Sequence, residues 1–415
     1  MAPLSTIPFK AGQLTSRTGI RPFVFAFLVT AFSMLFLGSC NLKTPFATAT
    51  QDSLFVNAPG SPISVPNGPG NILIGDMNND RKLDLIVACG STRSIVILPG
   101  KGDGQFGAPR SETTVTVSPG ELAIGDLNRD GNLDLAISSH DSYEVTLLLG
   151  DGRGGLTVAP TSPIAMKLGQ HPHTHGLAVA DMNRDDRLDL IIANNEDNDV
   201  SIALGDGRGN FSRAAQSPYP VGPSPYPFAV GDVNNDGWMD IVATASATGP
   251  SRREQLPLSR ALTLLLSDGK GGFASRRLPI RTGEPWFAAI GDLNGDSKAD
   301  IVATHHELNA MTLMIGNGHG GFVEAHGSPF DFGRSLFRAA IADVNRDAKN
   351  DVIATSGDSI RVMLADGSGG LQSRASMPVG RGAWRFAVAD LNADGKSDVV
   401  TSNSESNSVS VLLGR

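Results

Sequence analysis

The stretch Gly125-Asp126-Leu127-Asn128-Arg129-Asp130-Gly131-Asn132-Leu133-Asp134-Leu135-Ala136-Ile137 decides the fold, because its pattern recurs along the chain. It sets Asp or Asn at alternate positions of a tight loop, D-x-N-x-D-x-x-x-D, and runs straight into an apolar strand. The pattern begins at Asp76, Asp126, Asp181, Asp232, Asp292, Asp343 and Asp390, at intervals of 50, 55, 51, 60, 51 and 47 residues. A period near fifty, made of short apolar runs and turns, predicts one β-propeller blade per repeat, each of about four strands.

Working outward from the loop, each unit keeps one order. Leu122-Ala123-Ile124 leads in, the acidic loop follows, and Leu133 to Ile137 forms a second strand. Val145 to Leu149 forms a third, the glycine turn Gly150-Asp151-Gly152-Arg153-Gly154-Gly155 follows, and a more polar fourth strand opens on Leu156. Near-continuous Val, Ile and Leu in the inner strands predicts burial on both faces. The polar fourth strand suits an edge that meets water.

The ends of the chain match each other. The seventh unit stops at Val411-Leu412-Leu413-Gly414-Arg415, where its fourth strand is still owed. Ahead of the first loop, Leu54-Phe55-Val56-Asn57-Ala58-Pro59-Gly60-Ser61-Pro62 resembles the fourth-strand segment Gly321 to Pro329. The expected fold is therefore all-β, a seven-bladed propeller of four-stranded blades over residues 54–415, its ring closed by the N-terminal strand.

Residues 1–39 read as a signal peptide. Lys10, Arg17 and Arg21 form a positive leader, and Phe23 to Leu37 is apolar apart from Thr30 and Ser33. That length suits a signal h-region and is short for a membrane-spanning helix. Leu37-Gly38-Ser39-Cys40 resembles a bacterial lipobox, which makes Cys40 the lipidation site and residues 40–53 a tether. An ordinary secretory signal is the alternative. Asn41 rather than Asp after the cysteine points to an extracytoplasmic protein on the outer membrane or surface of a Gram-negative cell. Cys89, the second of two cysteines, follows Leu85-Ile86-Val87-Ala88 and reads as a small buried hydrophobe. A net charge of −8 excludes a nucleic-acid partner, which needs clustered Lys and Arg.

Hard oxygen donors at alternate loop positions suit Ca²⁺ better than Mg²⁺, which demands tight octahedral geometry and keeps its waters. The candidate ligands are Asp76, Asn78, Asp80 and Asp84 in the first repeat, and Asp126, Asn128, Asp130 and Asp134 in the second. The third and fourth offer Asp181, Asn183, Asp185, Asp189 and Asp232, Asn234, Asp236, Asp240. The last three offer Asp292, Asn294, Asp296, Asp300, then Asp343, Asn345, Asp347, Asp351, then Asp390, Asn392, Asp394, Asp398. Half of the 42 acidic residues sit in these loops, where carboxylates repel one another without a cation. Gly131, Gly237 and Gly395 fill the sixth position, where positive φ is expected. Arg81, Asp186, Ser297 and Ala348 stand there in other repeats, so equal occupancy of all seven loops is not expected.

These loops, together with the Gly-Asp-Gly-x-Gly-Gly turns, resemble the FG-GAP/VCBS repeat of integrin α-subunit propellers and many bacterial surface proteins. The resemblance covers residues 54–415 and implies Ca²⁺ at the loop residues named above. Function varies within that family, so the resemblance specifies a frame, not a task.

Strand alternation puts the acidic loops and glycine turns on one face, and the second-to-third loops and links between blades on the other. That second face collects His171, His173, His175, Tyr226, Trp286, Arg338, Trp384 and Arg385 from the links. His140, Asn194, His305 and His306 come from the loops, and the insertion from Ser246 to Arg260 carries Arg252 and Arg253. Aromatics and arginines on a rigid rim suit an unknown glycan or protein ligand in a binding, adhesion or scaffold role. The alternative is a propeller enzyme of lyase or dehydratase type acting on sugars. In it the His171-Pro172-His173-Thr174-His175 cluster binds a transition metal or moves protons.

Overall fold

In the second repeat the strands Pro119–Gly125, Asp134–Ser139, Glu144–Gly150 and Leu156–Val158 pair antiparallel in sequence order. All four come from the runs read off the sequence, and the acidic loop joins the first two. Seven such sheets follow one another along the chain. They are seen in a computed structural model that describes residues 53–109, 111–168, 172–246, 259–305, 307–332 and 336–415. The segment read as a signal peptide, Cys40, His171, Arg252, Arg253 and His306 lie outside the described residues.

The blade interiors match the apolar pattern. Asp84–Cys89, Asp134–Ser139, Asp189–Asn194 and their counterparts are buried at every position, as the middle of a sheet covered on both faces requires. Cys89 is among them, and burial first, then the Glu112 charge, pushes its thiol up to about 12. Seven buried apolar clusters lie among the described residues, one between each pair of neighbouring blades. A linear stack would leave its two end blades with an uncovered face. Here the seventh and first blades share a cluster, in which Val400, Val409 and Val411 meet Ile72, Leu85 and Val87.

The ring closes as expected. Phe55–Asn57 pairs with Ser408–Gly414, Phe55 opposite Gly414, as the outer strand of the last blade. Ile63–Ser64 adds to the same strand, and Phe55 is buried between the sixth and seventh blades. In four blades the outer strand is split around a Ser-Pro step. There the serine hydroxyl (Ser61, Ser162, Ser217 or Ser328) accepts the third-strand N–H that the break would orphan.

Deletion of residues 54–65 removes a strand and a buried phenylalanine from the closing blade, whereas trimming residues 41–51 spares every described strand. Circular dichroism and thermal melting will show the first deletion unfolded and the second native-like. Equal tolerance of both would contradict closure by this strand.

Candidate functional site

Strand register separates the two faces. Gly75 stands opposite Asp84 at the acidic-loop end of the first blade, and Pro69 stands opposite Cys89 at the other. On the loop face, one hydrogen-bond pattern repeats seven times. The first aspartate accepts the N–H of the sixth loop residue, as Asp76 Oδ2 does from Arg81 at 2.7 Å. The fifth-position aspartate accepts the N–H of the seventh. Positive φ occurs at the fourth and sixth positions of every loop, and Arg81, Asp186, Ser297 and Ala348 adopt it as the glycines do.

The ninth-position aspartates lie deeper. Asp84, Asp134, Asp189, Asp240, Asp300, Asp351 and Asp398 are each 0% exposed. One oxygen accepts the N–H of the second loop residue, such as Met77 to Asp84 at 3.0 Å. The other accepts an N–H where the third strand ends, such as Gly100 to Asp84 at 2.8 Å. This staple was not foreseen from the sequence.

A carboxylate oxygen carries two lone pairs, so one amide bond leaves room for a cation. The first and fifth carboxylates are near enough to act electrostatically on the ninth in every loop. An all-oxygen, mutually repelling donor set fits Ca²⁺. Three loops also carry an internal cation, pairing Arg187 with Asp185, Lys298 with Asp296 and Lys396 with Asp394.

The opposite face is not sevenfold. Six residues before each acidic loop the blades carry Gly70, Gly120, His175, Tyr226, Trp286, Phe337 and Trp384. The next position carries Asn71, Glu121, Gly176, Pro227, Phe287, Arg338 and Arg385. These positions lie at or just before the starts of the innermost strands, where the blades converge on the axis. Most of them line a cavity of about 180 Å³ walled by His175, Tyr226, Trp286, Phe337, Trp384, Glu121 and both arginines, among others. Five consecutive blades supply a ring and the first two supply glycine, so the wall is aromatic on one side and open on the other.

The rings are ordered. His175 stacks on Tyr226 and Tyr226 on Trp286, both at 4.4 Å between centroids, and Phe337 stacks on Trp384 at 4.4 Å. Trp384 remains 52% exposed. Glu121, buried at the floor, takes Arg338 at 2.6 Å, Arg385 at 2.5 Å and the Asn71 amide at 2.7 Å. Arg338 Nε is buried with no hydrogen-bond partner among the described residues. His140 and His173 sit beside His175. Burial, followed by the neighbouring imidazoles, holds His175 down to about 3, and partial burial of an otherwise exposed ring, followed by His173, lowers His140.

Of the residues singled out on this face, His173, His175, Tyr226, Trp286, Arg338, Trp384 and Arg385 do gather at the axis. Asn194 does not serve it, since its amide holds its own turn through Asp199 and Ser201. His305 is buried against Thr312, and burial lowers it to about 4. Sequence reasoning missed Glu121, which shows only when the seven repeats are superposed and position five before each loop is compared.

A family model described as "FG-GAP-like repeat" matches residues 76–137, 126–192, 181–243, 292–354 and 343–401, more than half of the chain. The chain belongs to the FG-GAP-like repeat family. No curated protein matches the sequence. Among solved structures, this FG-GAP-like propeller is similar to BBS1N, crystallised in complex with ARL6DN, at 10% identity and TM-score 0.58. That match covers 88% of this chain and 97% of the other. It is also similar to an Agrocybe aegerita lectin solved for its recognition of non-reducing terminal N-acetylglucosamine, at 18% identity, TM-score 0.54 and coverage of 82% and 86%. A third is virginiamycin B lyase from Staphylococcus aureus, at 12% identity, TM-score 0.53 and coverage of 85% and 97%. At these identities the likeness shows the fold alone.

The buried aspartates predict a pH dependence. Burial raises Asp189, Asp240 and Asp351 from 3.8 to about 6; their backbone hydrogen bonds oppose the rise and the loop carboxylates add to it. At these three groups the folded form holds protons that the unfolded chain releases, so their contribution to metal-free stability is full below the unfolded value and lost as pH rises through about 6. The buried imidazoles of His175 and His305 contribute the opposite slope, so the measurement is the difference between Ca²⁺-loaded and chelated protein, in which they cancel. The gain in Tm from saturating Ca²⁺ will grow from about pH 4.5 to 7. A gain that is absent, or that does not change with pH, would contradict both the burial argument and the cation site.

Proposed function

We propose that this FG-GAP-like propeller is an extracytoplasmic binding module, held to a membrane by lipid on Cys40 and stabilised by Ca²⁺ in its acidic loops. In this reading it takes the end of an acidic glycan into its axial mouth. The observation that carries the proposal is the pair of ring stacks flanking Arg338 and Arg385 around one cavity. Aromatic faces receive the apolar faces of sugar rings, and guanidinium groups pair with carboxylates in a fork. Two arginines share the single charge of Glu121, which leaves the mouth one positive charge in excess.

The cavity adjoins a second of about 230 Å³ that shares its Glu121, Pro227, Phe287 and Arg338 walls, so the site is a recess along the axis, which suits a chain end better than an internal stretch. Glu121, the acidic residue lining it, is engaged by two arginines and an amide. That engagement favours recognition over acid–base work. A lectin and a partner-binding propeller among the similar folds show that such frames carry recognition surfaces elsewhere.

A glycan array probed with Ca²⁺-loaded protein tests the reading. Trp384→Ala and Trp286→Ala will each weaken a glycan hit at least about tenfold, or 1.4 kcal/mol. Their melting temperatures will stay close to the parent's, because rim side chains add little to the interblade cores. Normal binding by both folded variants would refute the assignment. The anchor has its own test, in which Cys40→Ala moves the protein from the membrane fraction to the soluble fraction with its melting curve unchanged. Retention in the membrane would refute lipidation.

A further inference from the structure

Beside the axial mouth three imidazoles meet, of which the binding reading uses only His175, and that only as a ring in the wall. His140 follows the second strand of the second blade, His173 ends the link into the third blade, and His175 lies in that blade's innermost strand. Their ring centroids are 4.4, 4.4 and 4.7 Å apart in pairs. One nitrogen from each lies within 4.8 Å of the others, and the Nε2 atoms of His173 and His175 are 2.9 Å apart.

The backbone is built to hold them together. Thr174, between His173 and His175, is buried; its hydroxyl donates to Ser139 O at 2.7 Å and its N–H to His140 O at 3.3 Å. The link is thereby tied to the loop that carries His140. A register shift between His175 and Leu177, at Gly176 with φ of +70°, sets His175 against Tyr226. The far nitrogen of His173, Nδ1, faces Glu196 Oε1 at 3.4 Å. A carboxylate on that nitrogen selects the tautomer whose Nε2 lone pair points into the cluster.

We propose that His140, His173 and His175 form a binding site for one divalent transition-metal ion, Zn²⁺ foremost, at the edge of the axial mouth. Packing alone does not account for the cluster. At the equivalent position the next four blades carry Tyr226, Trp286, Phe337 and Trp384, which stack without ring nitrogens converging. Three imidazoles suit Zn²⁺, Cu²⁺ or Ni²⁺ and disfavour Ca²⁺, which takes oxygen. The site is thus chemically separate from the acidic loops and lies on the opposite face. Zn–N bonds of about 2.0–2.1 Å set tetrahedral ligand nitrogens roughly 3.3–3.4 Å apart. The spacings present, from 2.9 Å to within 4.8 Å, bracket that value, so small ring rotations complete the site. Three protein ligands leave a fourth position open to water or ligand, and His175 also lines the cavity.

The test is equilibrium dialysis of untagged protein against Zn²⁺ in excess Ca²⁺, which keeps the acidic loops filled, with metal counted by mass spectrometry. The wild type will retain one Zn²⁺ per chain, and X-ray absorption will show three nitrogen ligands at about 2.0–2.1 Å. His140→Ala, at an exposed position, will lose the ion while melting as the wild type does without Zn²⁺. Glu196→Gln will weaken binding by about 10–100-fold. Asp130→Ala, in a loop on the other face, will keep the ion. No retained Zn²⁺, or full retention in His140→Ala, would overturn the proposal, and neither result would touch the glycan reading.

Discussion

A buried carboxylate that accepts two backbone N–H groups recurs in all seven blades, and the rest of the architecture depends on it. Each ninth-position aspartate ties the start of its acidic loop to the end of the third strand, under the loop and out of water. Charge-assisted bonds of this kind are stronger than neutral ones, and a buried carboxylate without them would be costly. The third strand must pass close by to deliver its N–H. A Cβ on Gly100 would lie 2.0 Å from Leu83 O, and one on Gly150 2.1 Å from Leu133 O. The glycine at the end of most third strands is therefore part of the same device. Backbone amides and a proton compete for one buried charge, and a cation at the proposed Ca²⁺ site would compete for it too.

With each blade fixed on the loop face, the opposite face is free to vary. Seven innermost strands surround the axis, yet the pair of residues at or just before their starts changes from blade to blade. Rings occupy five consecutive blades, glycine the other two, and beneath them a buried glutamate gathers two arginines. Repetition makes the frame, and departures from repetition at the axis make the site. The three histidines are one such departure, carried by a single blade junction.

Much of this was legible in the sequence. The period implied seven blades, and the segment around Phe55 matched the fourth-strand pattern, so ring closure was readable from the repeat itself. Strand alternation placed the acidic loops and the aromatic links on opposite faces. Other features were hidden for physical reasons. An aspartate at the ninth position looks the same in sequence whether it faces an ion or an amide, so the staple could not be separated from a ligand. Arg81, Asp186, Ser297 and Ala348 gave no sign of positive φ, because neighbouring hydrogen bonds impose it on them. Glu121 sits in an ordinary strand start, and its role depends on Arg338 and Arg385, more than 200 residues away in sequence. His140 joins His173 and His175 only because adjacent blades bring their loops together.

The division of labour between the two faces is the central claim, and hydrogen–deuterium exchange with and without a bound glycan tests it most directly. Added protection is predicted at the starts of the innermost strands and in the links that carry Tyr226, Trp286, Phe337 and Trp384, with exchange in the acidic loops unchanged. Protection centred on the acidic loops or the outer strands, with the axial links unaffected, would contradict the account.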